Sequence, residues 1–231
     1  MKNKKSQNSW AYQKGNEPDT IKKFLSNFSL RVRQSQFEIF LKLLKPKETD
    51  KVADVGVSSV EELPDTNFFE RNYPYPEKLT AVSIDDPLDF QKKYPKIKFV
   101  QIQAGKRLPF KNKAFEIVVS WATLEHVGGK DNQEFFLREL FRIGKKVFIT
   151  TPYRGCLYEP HSGLLFAHWL PEKWFRKICD LLGKKFWSSG ENLRCLWKKE
   201  VKEILPESKK TKILIYKMFG IIPSHLLIIK N

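Results

Sequence analysis

Apolar residues at Ile21, Phe24, Leu25 and Phe28, then at Val32, Phe37, Phe40, Leu41 and Leu44, recur at spacings of three and four. That period gathers them on one side of a helix, so the pattern predicts one or two amphipathic helices over Asp19–Leu44, ended at Pro46. Beyond Lys51 the pattern becomes short β-branched runs: 51–57 (KVADVGV), 79–84, 98–102, 115–121 and 146–151. Such runs read as buried strands. Between them lie helical stretches at 61–73, with Phe68 and Phe69 turned inward, at 87–94, and at 132–143 with Gly144 as its C-cap. Residues 152–172 hold three Pro and two Gly among Tyr, Phe, His and Trp, which predicts an ordered aromatic loop. Helices at 172–182, ended by Gly183, and at 198–204 follow. The chain closes with a pair of strands, 212–219 and 225–229, joined across 220–224. Strands alternating with helices predict an α/β fold: a Rossmann-like doubly wound sheet, mostly parallel, with an antiparallel C-terminal strand pair and helices on both faces.

With 231 residues and 41% hydrophobic content the chain can bury one full core, so 20–231 is expected to be a single domain. Residues 1–19 are polar and basic and are expected to be disordered, with 20–48 as a helical cap and 152–172 as a substrate-side loop. The formal charge of +16 favours anionic partners: nucleic acid, a lipid surface or a phosphorylated substrate. A lysine-rich solvated surface accounts for it equally well, and no cluster of Arg with aromatics reads as a nucleic-acid groove. Cys156, Cys179 and Cys195 have no metal-ligand spacing, so no metal is expected and a reducing, cytoplasmic compartment fits best. The N-terminus lacks the apolar run of a signal peptide. The most apolar stretch, 213–229, is interrupted by Lys217 and Pro223, and a membrane span needs about twenty residues, so strands are the better reading. Phe166, Trp169, Trp174 and Phe175 with the basic ends leave peripheral contact with the inner face of a membrane as an option beside ordinary core packing.

Ligands of doubly wound sheets sit beyond the carboxyl ends of the strands. Strand one ends in Asp54-Val55-Gly56, where glycine permits close backbone approach. Strand two ends in Asp85 and Asp86; a carboxylate there can accept both ribose hydroxyl protons of a nucleoside. Asp85 is assigned that role, and Asp86 is the better cap for the following helix. Gln103-Ala104-Gly105 follows strand three, and Ser120 and Trp121 end strand four. Glu125 and His126 come next, and a histidine there can take a proton from a hydroxyl at neutral pH or serve as a cap. In the aromatic loop, Glu159 and His161 are further candidates for substrate binding or base work, with His168 nearby.

In order, these pieces resemble class I S-adenosylmethionine (SAM) dependent methyltransferases over about 51–152. A closer likeness spans Asp-Val-Gly-Val-Ser-Ser at 54–59, Asn-Phe-Phe-Glu at 67–70, Tyr-Pro-Tyr at 73–75, Leu-Thr-Ala at 79–81, Leu-Glu-His-Val-Gly at 124–128, Thr-Thr-Pro-Tyr-Arg at 150–154, Glu-Pro-His-Ser at 159–162 and His-Trp-Leu-Pro at 168–171. That set is similar to a bacterial subgroup associated with surface-polysaccharide and lipopolysaccharide assembly.

The resemblance implies SAM as cofactor, held by Asp54, Gly56, Asp85, Asp86, Ala104, Gly105, Ser120 and Trp121. Residues 103–105 would floor the adenine, and Ser120 and Trp121 would face the methionine part. Catalytic candidates are His126, His161 and Glu125. The implied acceptor is an oxygen or nitrogen of a small molecule, glycan or lipid-linked sugar, anionic in keeping with the charge. Relatives carry an acid where this chain has Ala104, an acid near Val60, and Asn where this chain has Tyr153. Losing one buried charged hydrogen bond costs about 1.5–3 kcal/mol, enough to weaken SAM by ~10-fold or more. Two other readings stay open: a degenerate binding or scaffold protein with the same fold, and an RNA methyltransferase, which is disfavoured because no appended RNA-binding module and no Asn-Pro-Pro-Tyr type clamp after strand four is found.

Overall fold

A computed structural model describes residues 19–59, 61, 65–159, 161–207 and 210–231, with the side chains of 19–26 excepted. Val60 and the basic terminus before Asp19 lie outside these residues. Seven strands form one sheet in the order β3-β2-β1-β4-β5-β9-β8. They are β1 (Val52–Val55), β2 (Leu79–Ser83), β3 (Lys98–Gln101), β4 (Phe115–Trp121), β5 (Gly144–Pro152), β8 (Thr211–Met218) and β9 (Ile222–Lys230). The first five run parallel; β9 is antiparallel to both β5 and β8. β6 (Tyr158–Glu159) and β7 (Leu164–Leu165) make a small hairpin inside the aromatic loop.

β1 is buried along its whole length because it is central and covered on both faces, which is why VADV reads as a continuous buried run. In β4 the two-residue period separates the layers. Ile117, Val119 and Trp121 join Phe40, Leu44 and Phe69, from α1 (Asp19–Leu44) and α2 (Phe68–Asn72). Val118 faces the opposite way, to Leu137, Leu140 and Val201 from α4 (Lys130–Ile143) and α6 (Lys198–Ile204). Phe90 of α3 (Leu88–Lys93) packs on the α1 side. A third cluster, Phe175, Cys179, Trp187, Leu193 and Cys195, ties α5 (Glu172–Leu181) to the chain that follows it. Helices therefore cover both faces, as the alternation of elements predicts.

Two expectations need correction. Among the described residues of the helix expected over 61–73, only α2 is helical, because Asn67 takes a left-handed backbone (φ 49°) and residues 65–67 form a turn. Gly144 does cap α4, but with an extended backbone as the first residue of β5. Its lack of a side chain serves packing instead: a Cβ there would lie 2.8 Å from Val118.

The strand order reverses between β1 and β4, and the crevice of a doubly wound sheet opens at such a switch point.

Candidate active site

A cavity of about 1370 Å³ opens over the carboxyl ends of the parallel strands. One wall comes from α1 (Val32, Arg33, Gln36), and the facing wall from the loop after β5 (Cys156, Tyr158, His161) and from Trp187. Asp54, Gly56, Asp85, Ala104, Gly105, Trp121, His126 and His161 all line it. Five other candidates do not. Ser120 is fully buried and its Oγ donates to the Val55 carbonyl at 2.7 Å, fastening β4 to β1. Asp86 is exposed, and its Oδ1 accepts the Leu88 N–H at 2.9 Å ahead of α3. Glu125 and Glu159 lie beneath the two histidines, both fully buried. His168 is also buried away from the cavity, its ring bonded to the Cys156 carbonyl at 2.9 Å.

The turn after β1 is built without the usual run of glycines. Gly56 alone has φ +107°, and a Cβ there would collide with Thr123. The rest is held by Asn67, whose Oδ1 accepts the Ser58 N–H at 3.2 Å and whose Nδ2 donates to the Ser58 carbonyl at 2.7 Å. Ser59 N–H donates to Asp85 Oδ2 at 3.0 Å, so the turn also fixes the carboxylate at the end of β2.

Glu70, from the Asn67–Glu70 stretch, is the residue whose role the sequence did not reveal. Its carboxyl hydrogen-bonds that of Asp54, and both line the cavity. Burial and the mutual repulsion with Glu70 raise the Asp54 pKa well above the ordinary value. Burial pushes Glu70 up to about 7, against the hydrogen bond from Asp54 and the charge of Arg33. Two buried carboxyls in contact hold one proton between them, the behaviour of paired acids. Nearby, the indole N–H of Trp121 is buried with no hydrogen-bond partner among the described residues, its ring stacked on Phe69 at 5.7 Å. An indole N–H normally finds a partner when buried, so this donor is available to a ligand.

At the other end, four chain segments converge. His126 Nε2 and His161 Nε2 are 3.1 Å apart. His161 Nδ1 bonds Glu159 Oε1 at 2.6 Å, and His126 Nδ1 bonds the Asn192 carbonyl at 2.8 Å. Burial raises the Glu159 pKa, but His161 and the Ser162 N–H outweigh it and bring the value down to about 2. Glu125 stands oppositely: burial pushes it up to about 7, only partly offset by His161 and by the Thr151 hydroxyl, which donates to Oε2 at 3.0 Å. The site thus holds one firmly ionised and one readily protonated carboxyl within reach of two imidazoles.

An open α/β sheet with an acid-lined crevice at its switch point has the architecture in which doubly wound folds seat their ligands. The match to known families narrows this: residues 53–147 match the family model described as a methyltransferase domain. No curated protein matches the chain. Among solved structures, a SAM-dependent methyltransferase from Methanosarcina mazei is 15% identical over 80% of this chain and 92% of that one, with a TM-score of 0.50. Magnesium protoporphyrin IX methyltransferase from Synechocystis, with bound SAH, is 10% identical over 94% and 89%, with a TM-score of 0.55. The 1,6-didemethyltoxoflavin-N1-methyltransferase of Burkholderia thailandensis, with its substrate and S-adenosylhomocysteine, is 12% identical over 87% and 77%, with a TM-score of 0.51. At these identities the likeness is one of fold. Residues 53–147 are similar to a methyltransferase domain, and they lie within a mixed seven-stranded sheet of the fold those structures share.

Proposed function

We propose that this chain is a SAM-dependent methyltransferase acting on an oxygen or nitrogen of an acceptor bound beside His126 and His161. The observation that carries the reading is the cavity over the ends of β1, β2 and β4, with Asp54 and Glu70 at one side and Asp85 at another, in a domain that matches methyltransferases. The residues fit the cofactor. It is a cation with an ammonium, and the Asp54–Glu70 pair offers buried acceptors that ionise fully only when a positive group adjoins them. Asp85 would accept from the ribose, Gly56 admits backbone contact, and Ala104 and Gly105 would floor the adenine without a carboxylate. When bound, SAM supplies an electrophilic methyl group on a sulfonium.

The chain's own contribution is placement, exclusion of water and proton handling. α1 and the loop 152–172 border the cavity from two sides. The histidine–carboxylate cluster stands beside the acceptor's space, and Glu159 orients the His161 ring there. Drug-sized ligands occupy roughly 300–1,000 Å³. The larger cavity here leaves room for a second substrate along Trp187, Lys184 and Lys185. An aromatic and cationic wall suits a sugar-bearing, anionic acceptor, and a glycan or lipid-linked sugar is our choice of acceptor class.

Calorimetry with SAM and with S-adenosylhomocysteine tests the cofactor. Saturable heat with one site supports it; no heat and no thermal shift at millimolar concentration would leave a scaffold with this fold. Transfer of label from methyl-labelled SAM to lipid-linked sugars, free glycans and RNA tests the acceptor, and label in RNA alone would replace the glycan reading.

A further inference from the structure

We infer that Glu125, His126 and His161 form a binding site for one first-row divalent cation of the zinc type, with an open position toward the cavity. The expectation of no metal came from the cysteine spacings. The structure brings together a different ligand set from two places in the chain, the turn after β4 (Glu125, His126) and the hairpin loop (His161), with Thr151 of β5 behind them.

A backbone carbonyl only accepts, so the His126 Nδ1 facing Asn192 O carries its hydrogen. Glu159 Oε1 already accepts the His161 backbone N–H and Oε2 that of Ser162, so both oxygens act as acceptors and the His161 Nδ1 facing Oε1 carries its hydrogen as well. Neutral rings of this tautomer both present an Nε2 lone pair, and the two Nε2 atoms face each other at 3.1 Å. Two lone pairs at that distance repel unless positive charge lies between or beside them. A single shared proton would satisfy the imidazoles alone. It would do nothing for Glu125 Oε1, which is fully buried, 3.9 Å from His126 Nε2, and without a hydrogen-bond partner among the described residues. A cation answers all three atoms together.

The distances suit it. The three ligand atoms lie within 4.8 Å of one another. A tetrahedral zinc ion, with bonds of about 2.0–2.2 Å, separates its ligand atoms by roughly 3.3–3.5 Å, between the 3.1 and 3.9 Å seen here. The surroundings are also those of a metal site. Ligating histidines usually give their second nitrogen to a carboxylate or carbonyl, which fixes the tautomer; here these are Glu159 and Asn192. The ligating carboxylate is itself fixed, by Thr151 Oγ1 at 3.0 Å, and the Glu125 carbonyl accepts the Arg194 N–H at 2.8 Å. Three protein ligands with both histidines lining the cavity leave the fourth position for water or for the acceptor's heteroatom. On binding, Glu125 releases any proton it holds and ligates as the carboxylate. The cation site stands independently of whether SAM binds.

The test uses the full chain freed of metal by chelation, titrated with Co²⁺ and then Zn²⁺. The expected result is one equivalent of Co²⁺ with the intense visible absorption of a tetrahedral N/O site, bleached by Zn²⁺ and untouched by millimolar Mg²⁺. His161→Gln and His126→Gln should lose it, and Glu159→Gln should weaken it by about 10–100-fold as an orienting partner. In the unaltered protein, imidazole ¹⁵N resonances of two of the four histidines should shift on adding Zn²⁺, with His168 and His225 unmoved. This measurement needs no variant to fold. Absence of stoichiometric Co²⁺ binding, thiolate charge-transfer bands pointing to the cysteines, or unmoved His126 and His161 resonances would each overturn the site. Calorimetry with SAM on the metal-free protein separates failure here from failure of the methyltransferase reading.

Discussion

Asn67 grips Ser58 by both backbone groups: its amide oxygen takes the Ser58 N–H and its amide nitrogen gives to the Ser58 carbonyl. A further bond runs from Asn67 Nδ2 to Glu61 Oε1 at 2.9 Å. One side chain thereby shapes a turn that in other doubly wound proteins is shaped by several glycines. Asn is also one of the few residues that adopts a left-handed backbone at low cost, as Asn67 does.

Replacing Asn67 by Ala should remove these bonds and impose a less favourable backbone. The expected loss is about 1–3 kcal/mol of stability, read by urea unfolding. SAM affinity should fall as well, because the turn would no longer hold Asp85 through Ser59. Unchanged affinity alongside lowered stability would show that the turn does not touch the cofactor.

The adjacent acids at the end of β2 should separate cleanly. Asp85→Ala should weaken SAM strongly, at least ~10-fold, with little change in melting temperature. Asp86→Ala should cost about 1 kcal/mol of stability through the lost bond to the Leu88 N–H, with affinity unchanged. The reverse pattern in calorimetry would exchange their roles.

Glu70 should make the unliganded protein less stable as pH rises. Its folded-state pKa, about 7, lies above the ordinary carboxyl value of 4.5, so the folded state holds a proton that the unfolded chain has already lost in that interval. Stability is then greatest below about 4.5 and declines as pH climbs toward 7, by up to about 3 kcal/mol from this group. Glu125 adds to the same slope. Glu70→Gln should flatten part of that decline and stabilise the protein at pH 8 while leaving pH 4 unaffected. Denaturant midpoints across the range would reveal it, and a slope identical to that of the unaltered protein would refute the shared-proton description.

Glu159 should behave in the opposite sense. Its pKa of about 2 lies below the ordinary value, so its stabilisation is complete above about 4.5 and disappears as pH falls through 2. Glu159→Gln should destabilise the protein at neutral pH by up to about 3 kcal/mol, with a much smaller difference near pH 2. Equal destabilisation at both ends would mean that packing rather than charge is at stake.

Ser120 illustrates where reading a chain stops. Its place at the end of β4 marks it for the cavity rim, and the strand itself is legible from FEIVVSW. Side chains alternate along a strand, however, so Ser120 turns away from its neighbour Trp121 and its hydroxyl goes to Val55. Ser120→Ala should therefore cost about 1 kcal/mol of stability and leave SAM affinity unaltered by calorimetry.

The order of strands and helices, their inward faces and the antiparallel closing pair follow from the sequence, because hydrophobic periods of two and 3.6 are properties of the local backbone. Asp54, Gly56 and Asp85 could be singled out for the same reason: they stand at strand ends, where a doubly wound sheet gathers its ligands. Only the tertiary structure decided that Glu70 shares a proton with Asp54, that Asn67 shapes the first turn, and that His126 meets His161 across 35 residues of chain. Those relations depend on the paths of loops packed against the sheet. A distance of 3 Å between two side chains is set by all the contacts that steer both backbones, and no local pattern carries it.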